Sequence, residues 1–119
     1  MHLTGEYLEA RRRARFAPRA VPVPTFGEDA VLHVRPLDAL GWARYHPAAE
    51  AAKGGAPEAV MRAMAALVVE CACDEHGAPL YDRSPAGMAA VLELEAGDVM
   101  ALGDACAKAQ REEGAGAGE

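Results

Sequence analysis

The sequence predicts a small α+β domain, mostly helical, with about four helices and an N-terminal two-stranded β-hairpin. Three observations carry this. One apolar stripe of helical period runs from about Pro57 to Cys73, two β-branched runs flank a turn rich in glycine and acid between Val21 and Arg35, and shorter helical periods recur after Ser84. At 119 residues the chain suits one compact domain. We draw that domain at residues 1–113 and read the Gly/Ala segment 114–119, too poor in bulky side chains to bury surface, as a disordered tail. Apolar residues make up 51% but aromatics only 5%, so the core is expected to be aliphatic and thin.

Residues 1–16 have helix-forming content with a sparse apolar stripe, Leu3, Tyr7 and Leu8, followed by Arg11, Arg12, Arg13 and Arg15. A weak or partner-dependent helix is expected. Val21–Pro24 and Val31–Arg35 read as the hairpin. Pro22 and Pro24 sit two apart, so their missing N–H groups fall on one side of the strand, which predicts a sheet edge. In the second strand Leu32 and Val34 share one face and are expected to lie on the helices. Asp38 caps a short helix around Trp42, Leu40 and Tyr45, ended at His46-Pro47 because proline disfavours helix in the residue before it.

Pro57 and Glu58 suit the first turn of the central helix, whose stripe is Val60, Met61, Met64, Leu67, Val68 and Cys71. Asp74–Pro79 is a polar turn. Ser84 then caps a short helix with Pro85 at its first position and Met88, Val91 and Leu92 as its apolar residues, and a last helix carries Val99, Leu102, Cys106 and Ala109 before fraying at Gln110–Glu113.

The formal charge of −6 is unevenly spread. Five arginines against Glu6 and Glu9 give residues 1–20 a charge of +3, which leaves −9 for the rest and argues against a general nucleic-acid surface. No apolar run approaches the roughly 20 residues of a membrane span, and no apolar stretch follows the N-terminal arginines, so a cytoplasmic protein is expected. Three cysteines without an export signal fit free thiols. Cys71, Cys73, His76 and Cys106 could be assembled into a zinc site, but two helical residues two apart face opposite ways, so small buried hydrophobes are the preferred reading and no metal is assigned. Cys73 with His76 and Asp74, or Ser84 with His46, offer a nucleophile and base only on paper, and no nucleophile elbow surrounds them. Gly54-Gly55 belongs to no phosphate-binding motif. With no catalytic or cofactor residues to name, an edge strand and a basic terminal helix point to a protein that binds other chains.

In order, the basic helical N-terminus, the Val21–Gly27 and Val31–Leu37 hairpin, the Trp42 helix, the apolar helix ending Leu67-Val68-Val69-Glu70-Cys71, the turn Asp74-Glu75-His76-Gly77 and the closing helices Ala89–Leu94 and Asp98–Gln110 resemble the tail assembly chaperones of long-tailed bacteriophages and prophages. The likeness covers most of residues 3–112. It implies a non-enzymatic homo-oligomer in the bacterial host cytoplasm that binds the tape-measure protein, keeps it soluble and is absent from the mature virion. It also implies recruitment of the tail tube protein, in many relatives through a longer frameshifted form. Contact residues are expected at Arg11, Arg12, Arg13 and Arg15 and on the strand at Val21 and Val23. Two other readings fit the residues: a different phage adaptor, such as a head–tail connector or neck protein, and a small Cys/His metal-binding regulator.

Overall fold

In chain order the computed structural model, which describes residues 1–117, runs α1 (Gly5–Arg15), β1 (Arg19–Pro22), β2 (Val31–Val34), α2 (Ala39–Ala51), α3 (Pro57–Cys71), β3 (Ala72–Cys73), α4 (Pro85–Leu92) and α5 (Ala96–Ala117). The α+β class is as expected, but there are five α-helices rather than about four, and the sheet has three antiparallel strands in the order β1-β2-β3 rather than two. Two short 3₁₀ turns, Pro24–Phe26 and Ala52–Gly54, complete the elements.

The central helix α3 organises the rest. Pro57 and Glu58 occupy its first turn, and its C-terminal half, Leu67 to Cys71, is buried on all sides because α2, α4 and α5 pack around it. Its helix ends without a glycine. Ala72 turns extended, and β3 takes over the backbone groups by pairing Cys73 with His33 and Ala72 with Val34, while Arg35 N–H donates to the Cys71 carbonyl at 3.0 Å. Cys73, read from sequence as helical, is therefore a strand residue.

β1 and β2 pair in the register Arg19–Val34 through Pro22–Val31. Leu32 and Val34 face inward on α5, with Val31 outside, as the alternation required. The fully buried side chains Val34, Val68, Val91, Val99, Cys71 and Cys106 join strands and helices into one aliphatic core, and Cys73 is fully buried outside that cluster.

Three local expectations are corrected. α2 does not stop at His46 but continues through Pro47, whose missing N–H deprives the carbonyl of Ala43, an exposed residue that water can serve. Ser84 precedes Pro85 as expected, yet its hydroxyl donates to Asp82 Oδ2 at 3.0 Å instead of capping α4. Gln110 is not at a frayed end: its Oε1 accepts from Leu37 N–H at 3.1 Å and its Nε2 donates to the Arg35 carbonyl at 3.3 Å, which fastens α5 to the chain leaving β2. α5 reaches Ala117, so the helix assignment extends past the boundary drawn at residue 113, and residues 118 and 119 of the Gly/Ala tail lie outside the described residues.

Candidate interaction surfaces

α1 is built entirely by local means. Thr4 Oγ1 accepts from Tyr7 N–H at 3.1 Å, Leu3 and Leu8 occupy the positions of a hydrophobic staple, and Glu9 accepts two bonds from the Arg12 guanidinium at 3.1 and 2.7 Å. That guanidinium holds the Glu9 carboxyl below the ordinary range. No residue of the helix is buried, and Leu3, Tyr7 and Leu8 stay largely exposed. Arg11, Arg12 and Arg13 are exposed with them, and Arg15 is partly covered. The expected partner-dependent helix is thus present as an arm with almost no tertiary support.

The strand contacts expected at Val21 and Val23 need correction. Both side chains are buried, at 7% and 5% exposure, and belong to the core. What β1 leaves exposed are the side chains of Arg19, Ala20 and Pro22 and its outer backbone edge. Val23 N–H donates to the Ala30 carbonyl at 2.9 Å, so by antiparallel alternation residues 19, 21 and 23 direct their backbone groups to β2, and residues 20 and 22 direct theirs outward. Pro22 at the outer edge has no N–H, and neither has Pro24, whose carbonyl is taken up within the 3₁₀ turn by Gly27 N–H at 3.1 Å. The prediction of an edge strand holds, but that edge is blunted against strand addition.

β3 offers no free edge in its place. Cys73 bridges Pro79, Leu80 N–H donates to the Ala72 carbonyl at 3.1 Å, and the chain between them reverses in the turn predicted from Asp74 to Gly77. Asp74 Oδ1 accepts from His76 N–H at 2.8 Å and Ala78 N–H at 2.9 Å, and these backbone donors hold its carboxyl below the ordinary range. Gly77 takes the left-handed φ of 88° that closes the turn.

A groove of about 310 Å³ opens between this turn, the hairpin loop and the α4–α5 link. Leu32, Val68 and Ala72 are its floor; Phe26, Leu80 and Leu94 stand on its rim, each at least 36% exposed; Asp98 and Tyr81 also line it. A second exposed apolar patch lies on α2, where Leu40 and Trp42 face outward and Trp42 stacks on His46 at 4.5 Å between ring centroids. Both residues were read from the sequence as members of this helix, without a direction. The helix instead buries Gly41 and half-buries Tyr45 and Ala48, so a small residue marks its contact face.

The most concentrated buried charge is elsewhere. Glu70, 7% exposed at the end of α3, accepts from Arg44 Nε and Nη2 of α2, both at 2.8 Å, and lies 3.8 Å from Arg83 Nε. Arg83 Nη2 also donates to the Glu70 backbone carbonyl at 3.1 Å. This group ties α2, α3 and the segment before α4 together. Both carboxylate oxygens of Glu70 are engaged from within the chain, while Arg83 Nε is buried without a hydrogen-bond partner, so the geometry is that of a clamp.

The three thiols are free and buried. Burial pushes the Cys71 thiol up to about 12 and raises those of Cys73 and Cys106, which suppresses the thiolate needed for nucleophilic attack or metal binding. His76 lies apart on the exposed turn, and among the described residues no group of three or more His, Cys, Asp or Glu side chains is placed to hold a metal ion. No helix among them is long and apolar enough to cross a membrane. The chain matches no family model, no curated protein and no solved structure.

Sequence reasoning found the arm and the edge but missed the groove and the clamp. Large apolar residues in turn segments, Phe26 before Gly27, Leu80 after Pro79 and Leu94 between two helices, were the available signal for the first. For the second it was a carboxylate set inside the run Leu67-Val68-Val69-Glu70-Cys71.

Proposed function

We propose that this chain is a non-enzymatic tail assembly chaperone of a long-tailed bacteriophage or prophage, which binds the tape-measure protein in the host cytoplasm, keeps it soluble and helps recruit the tail tube protein, itself leaving before the tail is finished. The order of elements along the chain suggests the reading. The observation that carries it is α1, a basic helix with exposed Leu3, Tyr7 and Leu8 and nothing of its own to bury them against. A long client exposing apolar helical surface can be shielded by many copies of a small domain that each contribute a weak contact. The apolar patches around Phe26 and Trp42 add surface suited to that work.

Co-expression with the tape-measure protein encoded beside it tests the reading. The client is expected to move from the insoluble to the soluble fraction and to co-purify with the chain. A client equally insoluble with and without it, or recovery of the chain as a component of purified virions, as a connector or neck protein would behave, overturns the proposal.

A further inference from the structure

The groove rimmed by Phe26, Leu80 and Leu94 and the unburied helix α1 are complementary in shape class and in charge. We propose that α1 of one copy seats in this groove of a second copy. At about 100° per residue, Tyr7, Leu8, Arg11 and Arg15 fall on one side of α1, whereas Glu6, Glu9 and Arg13 fall on the other. One face therefore presents two large apolar residues followed by two cations and no acid.

The groove offers the converse. Its floor is apolar, its one charged lining residue is Asp98, and the rim segments 26–29 and 93–98 carry Glu28, Asp29, Glu93 and Glu95 with no Lys or Arg. An amphipathic helix laid in an apolar groove, with its cations over an acidic rim, is a recurrent mode of recognition. The separation of +3 in residues 1–20 from −9 in the remainder makes a second copy electrostatically attractive to the arm.

Its own chain is the poorer donor. Only Phe16, Ala17 and Pro18 join α1 to β1, and Pro18 lies against Gly77, beside the Arg19–Val34 end of the ribbon, whereas Phe26 follows the opposite end. Strand addition, the usual rival route to self-association, is closed by Pro22 and Pro24. Donor and acceptor surfaces differ, so reciprocal exchange gives a closed pair and one-way exchange gives a growing series.

The inference does not rest on the phage reading. Full-length Leu8→Cys and Leu94→Cys proteins, differently tagged, are mixed and oxidised, and the mass of untreated protein is followed by light scattering over a concentration series. Expected are a cross-link between the two tagged proteins, a mass above the 12.5 kDa of one chain that rises with concentration, and a dissociation constant weakened at least about tenfold by Leu8→Asp or Leu94→Asp with the melting transition retained. Arg11→Glu is expected to weaken association, and Asp98→Arg in the same chain to restore it. A mass of 12.5 kDa at every concentration, association indifferent to both Asp variants, or a Leu8→Cys/Leu94→Cys double variant that cross-links only within one chain overturns the inference. A monomer that still solubilises the tape-measure protein sinks this inference alone, and an arm-dependent oligomer that leaves the client insoluble sinks the proposed function alone.

Discussion

Glu70 concentrates the electrostatic stake of the fold at one residue. It is buried with two arginines converging on it, so removing its carboxylate strands Arg83, whose Nε is already buried without a hydrogen-bond partner. Glu70→Ala is expected to cost about 3 kcal/mol in denaturant unfolding, near the lower end for a broken buried pair because Arg44 remains 44% exposed and can rehydrate. Arg44→Ala should cost at least as much, because it leaves the buried Glu70 carboxylate with Arg83 Nε at 3.8 Å as its remaining charge partner. Asp74 gives a pH signature. Its folded value lies below its unfolded one, so its contribution is complete above the ordinary value of 3.8 and is lost as the pH falls below that toward the folded value. The melting temperature of the wild-type chain should therefore drop further over that acid window than that of Asp74→Asn, whose amide oxygen can still accept the two turn N–H bonds but carries no charge. The Asp-x-x-Gly turn was legible because its chemistry is local, with acceptor, donors and left-handed glycine all lying within four residues. The Glu70 clamp was not, because its arginines come from positions 26 residues earlier and 13 later.

At the scale of elements, two glycines allow close approaches, Gly87 of α4 to the segment leading into it and Gly103 of α5 to α3. A Cβ at Gly87 would collide with the Asp82 carbonyl, a backbone group held by the turn into α4, whereas one at Gly103 would meet Met64 at 2.9–3.0 Å, mostly the flexible end of that side chain. Gly87→Ala is expected to destabilise by about 3 kcal/mol. Gly103→Ala should cost about 1 kcal/mol or less, since alanine's helix propensity recovers about as much as the crowding takes. Urea midpoints of the two variants check the order, and equal midpoints would refute the distinction between rigid and yielding neighbours. The same contrast explains which elements could be read in advance. α3 and β2 announce themselves through large residues at fixed periods. α2 and its Asp38 cap were legible, but its contact face was not, because Gly41 and alanines make the contact while Leu40 and Trp42 point to solvent. β3 was missed because two residues at a helix end carry no period, and only the presence of β2 beside them makes a strand.

Over the whole molecule, the net charge is positive in the N-terminal segment that holds the unburied arm and negative in the body that carries the groove. No residue of α1 belongs to the aliphatic core of the body, and Leu3, Tyr7 and Leu8 stay exposed beside it. The two prolines on the outer margin of β1 complete this arrangement. Under the proposed function many copies would gather around one client, the crowded condition under which exposed ribbons zip together into cross-β fibrils. Here the growing end would present a single N–H, that of Ala20, to the next ribbon. On the proposed seating of α1, association runs through helix contacts rather than strand pairing, and a concentrated stock should stay free of thioflavin-positive aggregates even where it associates.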